Sequence, residues 1–292
     1  PLRAAVAHPK ASWPPMAVHI MGCASSHASP DWRVYNQLLQ SASVGNVSEL
    51  RVAQLRFVSM HWGFYNNMMA RTSARNGHLD VCKWLDGKPG VDWGAGNSYA
   101  SCLAAQNGHL DVCKFLDGKP GVDWGARNSE ASRWAAENGH LDVCKFLDGK
   151  PGVNWGDWDS FASCLAARNG RLDVCIWLNG KPGVDWGARN SEASRYAAEN
   201  GHLDVCKFLD IKPGVDWGAR NSEASRYAAE NGHLDVCTFL RGKPGVVLSA
   251  DMCRKLDRRC ARLALATWAS GYASSGLHRM RRVAMARMWA HL

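Results

Sequence analysis

Apolar positions fall into two short blocks that alternate with turn residues. From Ser129 to Glu137, Ala131, Trp134, Ala135 and Ala136 recur at helical spacing, with Asn128 or Ser129 placed as the cap and Asn138-Gly139 as the break. From Leu141 to Asp148, Leu141, Cys144 and Leu147 share one side of a second helix and Val143 and Phe146 widen it. Gly149-Lys150-Pro151-Gly152 ends that helix, and Val153 to Asp157 reads as an extended or turn segment leading onward. Helices of about eight or nine residues are marginal alone. Each must be held by neighbours across a stacked interface.

The pair of blocks is copied along the chain. Asn-Gly-His-Leu-Asp-Val-Cys begins at Asn76, Asn107, Asn138, Asn200 and Asn231, and at Asn169 with Arg171 in place of His, always 31 residues apart. Trp93, Trp124, Trp155, Trp186 and Trp217 keep the same step, so the unit is a whole module. The string Ala-Ala-x-Asn-Gly-His-Leu-Asp-Val-Cys-x-Phe-Leu followed by Gly-Val-Asp resembles the ankyrin repeat over roughly Asn67 to Val247. The family's Thr-Pro-Leu-His is replaced by Glu130-Ala131-Ser132-Arg133, and the period is shorter than the usual 33 or so residues. The resemblance implies an all-α, ankyrin-like solenoid of helix-turn-helix units with short or stunted hairpin loops. It also implies a function in binding other proteins.

The ends depart from this pattern. Residues 1–30 carry no acid and are expected to be disordered; 31–66 read as a degenerate N-terminal capping repeat, with Gly45 placed 32 residues before Gly77. Residues 67–248 form the array of six units, and 249–292 a basic helical cap and tail in which Met252, Leu256, Cys260 and Leu263 could cover the last unit.

Charge then relocates the question of partners. The chain has a formal charge of +9, yet residues 1–240 hold 24 Lys+Arg and 24 Asp+Glu, while 241–292 hold 11 and 2. A charge-driven partner should therefore meet the tail. Residues 275–292 could lie on an acidic membrane surface, and nucleic acid is the third-ranked partner. Met21-Gly22-Cys23-Ala24-Ser25-Ser26 fits N-myristoylation of Gly22 and palmitoylation of Cys23 if translation starts at Met21. The absence of an apolar span or a secretory signal favours a cytoplasmic protein, with a membrane-peripheral or nuclear place as alternatives. Its 11 cysteines then read as reduced thiols.

No catalytic signature is present, and the residue types that catalysis needs recur identically in each unit, whereas an active site needs different groups converging at one place. The chain reads as a non-enzyme without metal or cofactor. His109 and Cys113 sit four apart but are expected to serve the inter-helix turn and the core. The tryptophan ladder is expected to pack successive units together.

Positions that differ between copies point to binding, because packing should fix the same residue in every unit. One column holds Tyr99, Glu130, Phe161, Glu192 and Glu223; the next holds Cys102, Arg133, Cys164, Arg195 and Arg226; a third holds Gln106, Glu137, Arg168, Glu199 and Glu230. Spacings of three and four place them on one helical face. In the ankyrin resemblance this face lines the concave groove, so Tyr99, Glu130, Arg133, Phe161, Arg168, Glu192, Arg195, Glu223 and Arg226 are the expected contacts of a protein partner of unknown identity. Weak ion pairs among Glu130, Arg133 and Glu137 are the alternative role, and a monomer is expected.

Overall fold

A computed structural model describes residues 32–56, 61–258 and 261–262. The acylation residues Gly22 and Cys23, the basic segment 275–292, and Cys260 and Leu263 lie outside the described residues. Among those described, every regular element is a helix.

The helices come in pairs. They run α1 (Trp32–Ser43) with α2 (Val47–Arg56), α3 (Phe64–Arg75) with α4 (Leu79–Leu85), α5 (Ala95–Gln106) with α6 (Leu110–Leu116), and α7 (Ala126–Asn138) with α8 (Leu141–Leu147). They continue as α9 (Asp157–Arg168) with α10 (Leu172–Leu178), α11 (Ala188–Glu199) with α12 (Leu203–Leu209), and α13 (Ala219–Glu230) with α14 (Leu234–Leu240). Each first helix packs on the next first helix, and each second helix on the next second helix. Residues 250–258 form α15, which buries Met252 and Leu256 as the apolar spacing requires.

A single side-chain pattern builds the core. Val143, Cys144 and Leu147 of α8, and their counterparts in α4, α6, α10, α12 and α14, are fully buried. Ala131, Ala135 and Ala136 let the first helices approach closely, which only small side chains allow at helix contacts. Each tryptophan of the ladder is buried and meets an aromatic ring of the next unit edge to face: Trp124 with Phe146 at 5.6 Å between centroids, Trp155 with Trp177 at 4.9 Å, Trp186 with Phe208 at 5.4 Å. The ladder is therefore packing between units. Each such pair adds about 0.5–1.5 kcal/mol beyond the area it buries.

Polar groups on the same seam are satisfied across it. His109 Nε2 donates to the Arg75 carbonyl at 2.9 Å, and His140 to that of Gln106 at 3.0 Å, so each inter-helix turn is tied to the preceding first helix. Gly108 is held at φ 77°, and a Cβ there would lie 2.5 Å from His140 Nδ1. Asp117 accepts from Trp124 Nε1 at 3.1 Å and pairs with Lys150 of the next unit at 2.6 Å. Lys150 also lies 4.6 Å from the Phe146 ring. In the loops, the backbone of Gly125 passes so close to Gly152 that a Cβ would collide with the Gly152 carbonyl.

The start of the first helix differs from the sequence expectation. Arg127, Asn128 and Ser129 all adopt left-handed backbone, φ 55°, 56° and 58°, and the same triplet recurs at 96–98, 158–160, 189–191 and 220–222. Left-handed backbone costs roughly 1–2 kcal/mol per residue for residues other than glycine, less for Asn and Asp. The middle place is always Asn or Asp. Ser129 does not cap its own helix: its Oγ accepts from the Asn154 N–H at 3.1 Å and donates to the Gly152 carbonyl at 3.2 Å. Ser98 and Asp123 N, Ser160 and Asp185 N, and Ser191 and Asp216 N repeat the first of these at 2.7 Å. The turn is bent outward to serve the next loop, and those bonds offset its strain.

Candidate functional site

The three variable columns lie on the first helices, and their members meet different fates. Glu130 binds Arg127 at 2.9 Å, and Glu192 takes Arg189 at 3.2 Å and the Tyr196 hydroxyl at 2.9 Å. Neither Arg133 nor Glu137 joins Glu130, so the expected ion pairs among these three give way to a pair with the left-handed turn. Arg133 donates Nε and Nη2 to the carbonyls of Asn128 and Arg127, both at 3.1 Å. Its guanidinium lies 4.8 Å from the Trp158 ring and 5.9 Å from Phe161.

Two expectations need correction. Cys102 and Cys164, read as parts of apolar surface patches with Tyr99 and Phe161, are 1% exposed and belong to the core. Burial pushes both thiols up to about 12, so they behave as small apolar groups. Arg195, read as a contact of the face, is 6% exposed. It meets Glu223 at 2.6 Å and donates Nε to the Asn190 carbonyl at 3.3 Å. Burial would raise the Glu223 carboxyl; the Tyr227 hydroxyl at 2.9 Å and Arg195 outweigh this and hold it below the ordinary value. Arg195 is withdrawn because a carboxylate waits 28 residues on.

The remaining members stay accessible. Tyr99 and Phe161 are half-buried, and Arg168 and Arg226 are exposed. Arg168 lies 5.3 Å from the Tyr196 ring; Arg226 lies 3.4 Å from Glu223 and borders a cleft of about 430 Å³ with Glu230 and Leu248.

Sequence reasoning missed Trp158. It is 52% exposed, 6.3 Å from Phe161, and sits on the left-handed turn that opens α9. Asp157-Trp158-Asp159 stands where the units on either side carry Ala-Arg-Asn, and that break in an otherwise copied loop was the available signal. Arg189 flanks the same spot, 3.6 Å from Asp159 and 5.3 Å from the Phe161 ring. Tyr99, Arg133, Trp158 and Phe161 thus form a surface of aromatic rings and guanidinium groups. Such groups are enriched at the energetic centres of protein interfaces. Among the described residues no cluster of His, Cys, Asp and Glu suits a metal ion. No described helix is long and apolar enough to cross a membrane.

Stacked helix pairs, tied unit to unit along one seam and varied along one face, define a helical repeat solenoid. Residues 68–155 match the family of ankyrin repeats, in three copies, and this stretch consists of ankyrin repeats. An ankyrin repeat domain is typically a protein–protein interaction module, generally non-catalytic. No curated protein matches the chain.

Proposed function

We propose that the chain is a non-catalytic scaffold that binds a protein partner through the concave, first-helix face of its array, centred on Tyr99, Arg133, Trp158 and Phe161. Glu130, Arg168, Glu192, Glu223 and Arg226 form the polar surround, and Arg195 acts beneath it by holding Glu223. The exposure of Trp158 carries the reading: a large aromatic side chain stands in solvent where neighbouring units have arginine. Residues 67–248 are the array, 31–66 close its N-terminal end, and the helix from 250 closes the other. The buried free cysteines fit a reducing compartment such as the cytoplasm.

Random 12-residue peptides displayed on phage and selected on the full chain test this. Recovered peptides should bind at least tenfold more weakly to Trp158→Ala, with unchanged thermal unfolding. They should bind normally to Lys145→Ala, on the exposed side of a second helix. Peptides indifferent to Trp158 and Phe161 but lost with Lys145 would overturn the proposal.

A further inference from the structure

Each first helix directs one side chain of the second column toward the following first helix. Arg195 meets a carboxylate there, that of Glu223. At the same offset Arg71 meets the Tyr99 ring, 5.2 Å from its centroid, and Arg133 meets Phe161. Among the described residues no carboxylate comes within 4 Å of Arg71 or Arg133. A ring attracts a guanidinium by about 0.5–1 kcal/mol at an exposed site but leaves its charge in place. A carboxylate neutralises it through two parallel hydrogen bonds.

The two arginines are unsatisfied in different ways. Arg71 has a buried Nε with no hydrogen-bond partner. Burial lowers its pKa and Arg127, on the other side of Tyr99 at 5.0 Å, adds to this, against the effect of Tyr99. Arg133 spends two N–H groups on backbone carbonyls, which carry no net charge. The acid between them on the face, Glu130, is already paired with Arg127 and does not screen either. Arg71 and Arg133 lie two units apart, which at 8–10 Å per packed helix is roughly 16–20 Å. An extended chain at about 3.3 Å per residue covers that in about five or six residues.

We propose that this part of the face takes an extended acidic segment of a protein partner, with one carboxylate on Arg71, a second about five or six residues further along on Arg133, and an apolar side chain against Trp158. The proposal rests on the first-helix face being the binding face, and it adds the chemistry and spacing of the ligand.

The same displayed 12-residue library provides the probe. Peptides recovered on the full chain should carry Asp or Glu at two places five or six residues apart. A synthetic peptide of the recovered sequence, followed by fluorescence anisotropy, should bind about tenfold more weakly to Arg71→Gln and to Arg133→Gln, and about a hundredfold more weakly to the double variant. Arg71→Lys with Arg133→Lys should restore part of the loss, since charge returns without the planar fork. A merely structural role would shift thermal unfolding and spare the preference for acids. Selected peptides without paired acids, or acidic peptides held equally by the double glutamine variant, would sink the inference. If those peptides still depend on Trp158, the binding face itself stands; if they depend on neither Trp158 nor the arginines, both readings fall.

Discussion

Arg133 and Arg195 occupy the same place in two units and follow the same five-residue string, Ser-Glu-Ala-Ser-Arg. Both donate Nε to the carbonyl of the Asn in their left-handed turn. They nevertheless differ in exposure and role, because residue 161 is Phe and residue 223 is Glu. Arg195 is neutralised and buried; Arg133 stacks on rings and remains a cation at the surface. A repeat array can thus convert one structural residue into a binding residue without altering the unit that carries it. The change is made in the next unit.

The largest expected effect comes from breaking what both regions share. Trp124→Ala removes a buried ring from the seam and should lower stability by about 3–5 kcal/mol, read from the midpoint of urea unfolding. It should harm the Arg133 and Arg195 neighbourhoods alike. An effect below about 1 kcal/mol would mean the ladder is not what joins the units.

Glu223→Gln separates the two regions. It leaves Arg195 buried beside a neutral amide and should cost about 2–4 kcal/mol, whereas Arg133→Gln should cost less than about 1 kcal/mol. The pH dependence follows with a definite sign. The Glu223 carboxyl is held below its ordinary value of 4.5, so its contribution is present above that value and is lost as pH falls through the lower, folded-state value. Wild type should therefore lose stability on acidification below about pH 4.5 more steeply than Glu223→Gln. Parallel curves from denaturant melts at several pH values would contradict the pairing.

The smallest expected change in stability is the most informative one. Phe161→Glu gives Arg133 the carboxylate that Arg195 already has, and should alter stability by about 1 kcal/mol or less. It should also remove binding of acidic peptides at that position. Retained binding would show that Arg133 is not held in reserve by the absence of an acid.

Much of this architecture was legible along the chain. The period, the helix pairs, the Val-Cys-Leu core, the backbone role of histidine and the packing role of the tryptophans all follow from residues that repeat in register. The left-handed turn was not legible, because Ser129 reads as a helix cap until Asn154, 25 residues later, claims its hydroxyl. Cys102 and Cys164 looked like surface positions because they share a column with arginines, and column membership says nothing of how closely the next helix approaches. Trp158 was visible as a break in a copied loop but was counted among the other tryptophans.

The sequence alone determined that the chain folds as short paired helices stabilised by copies of themselves, since helices of this length have no other source of stability. Tertiary structure decided which side chains of the first-helix face are spent and which are free. That choice depends on contacts 25 to 34 residues apart, such as Ser129 with Asn154, Arg195 with Glu223 and His140 with Gln106. Each is set by the distance and charge of the following or preceding unit, quantities that no single unit contains.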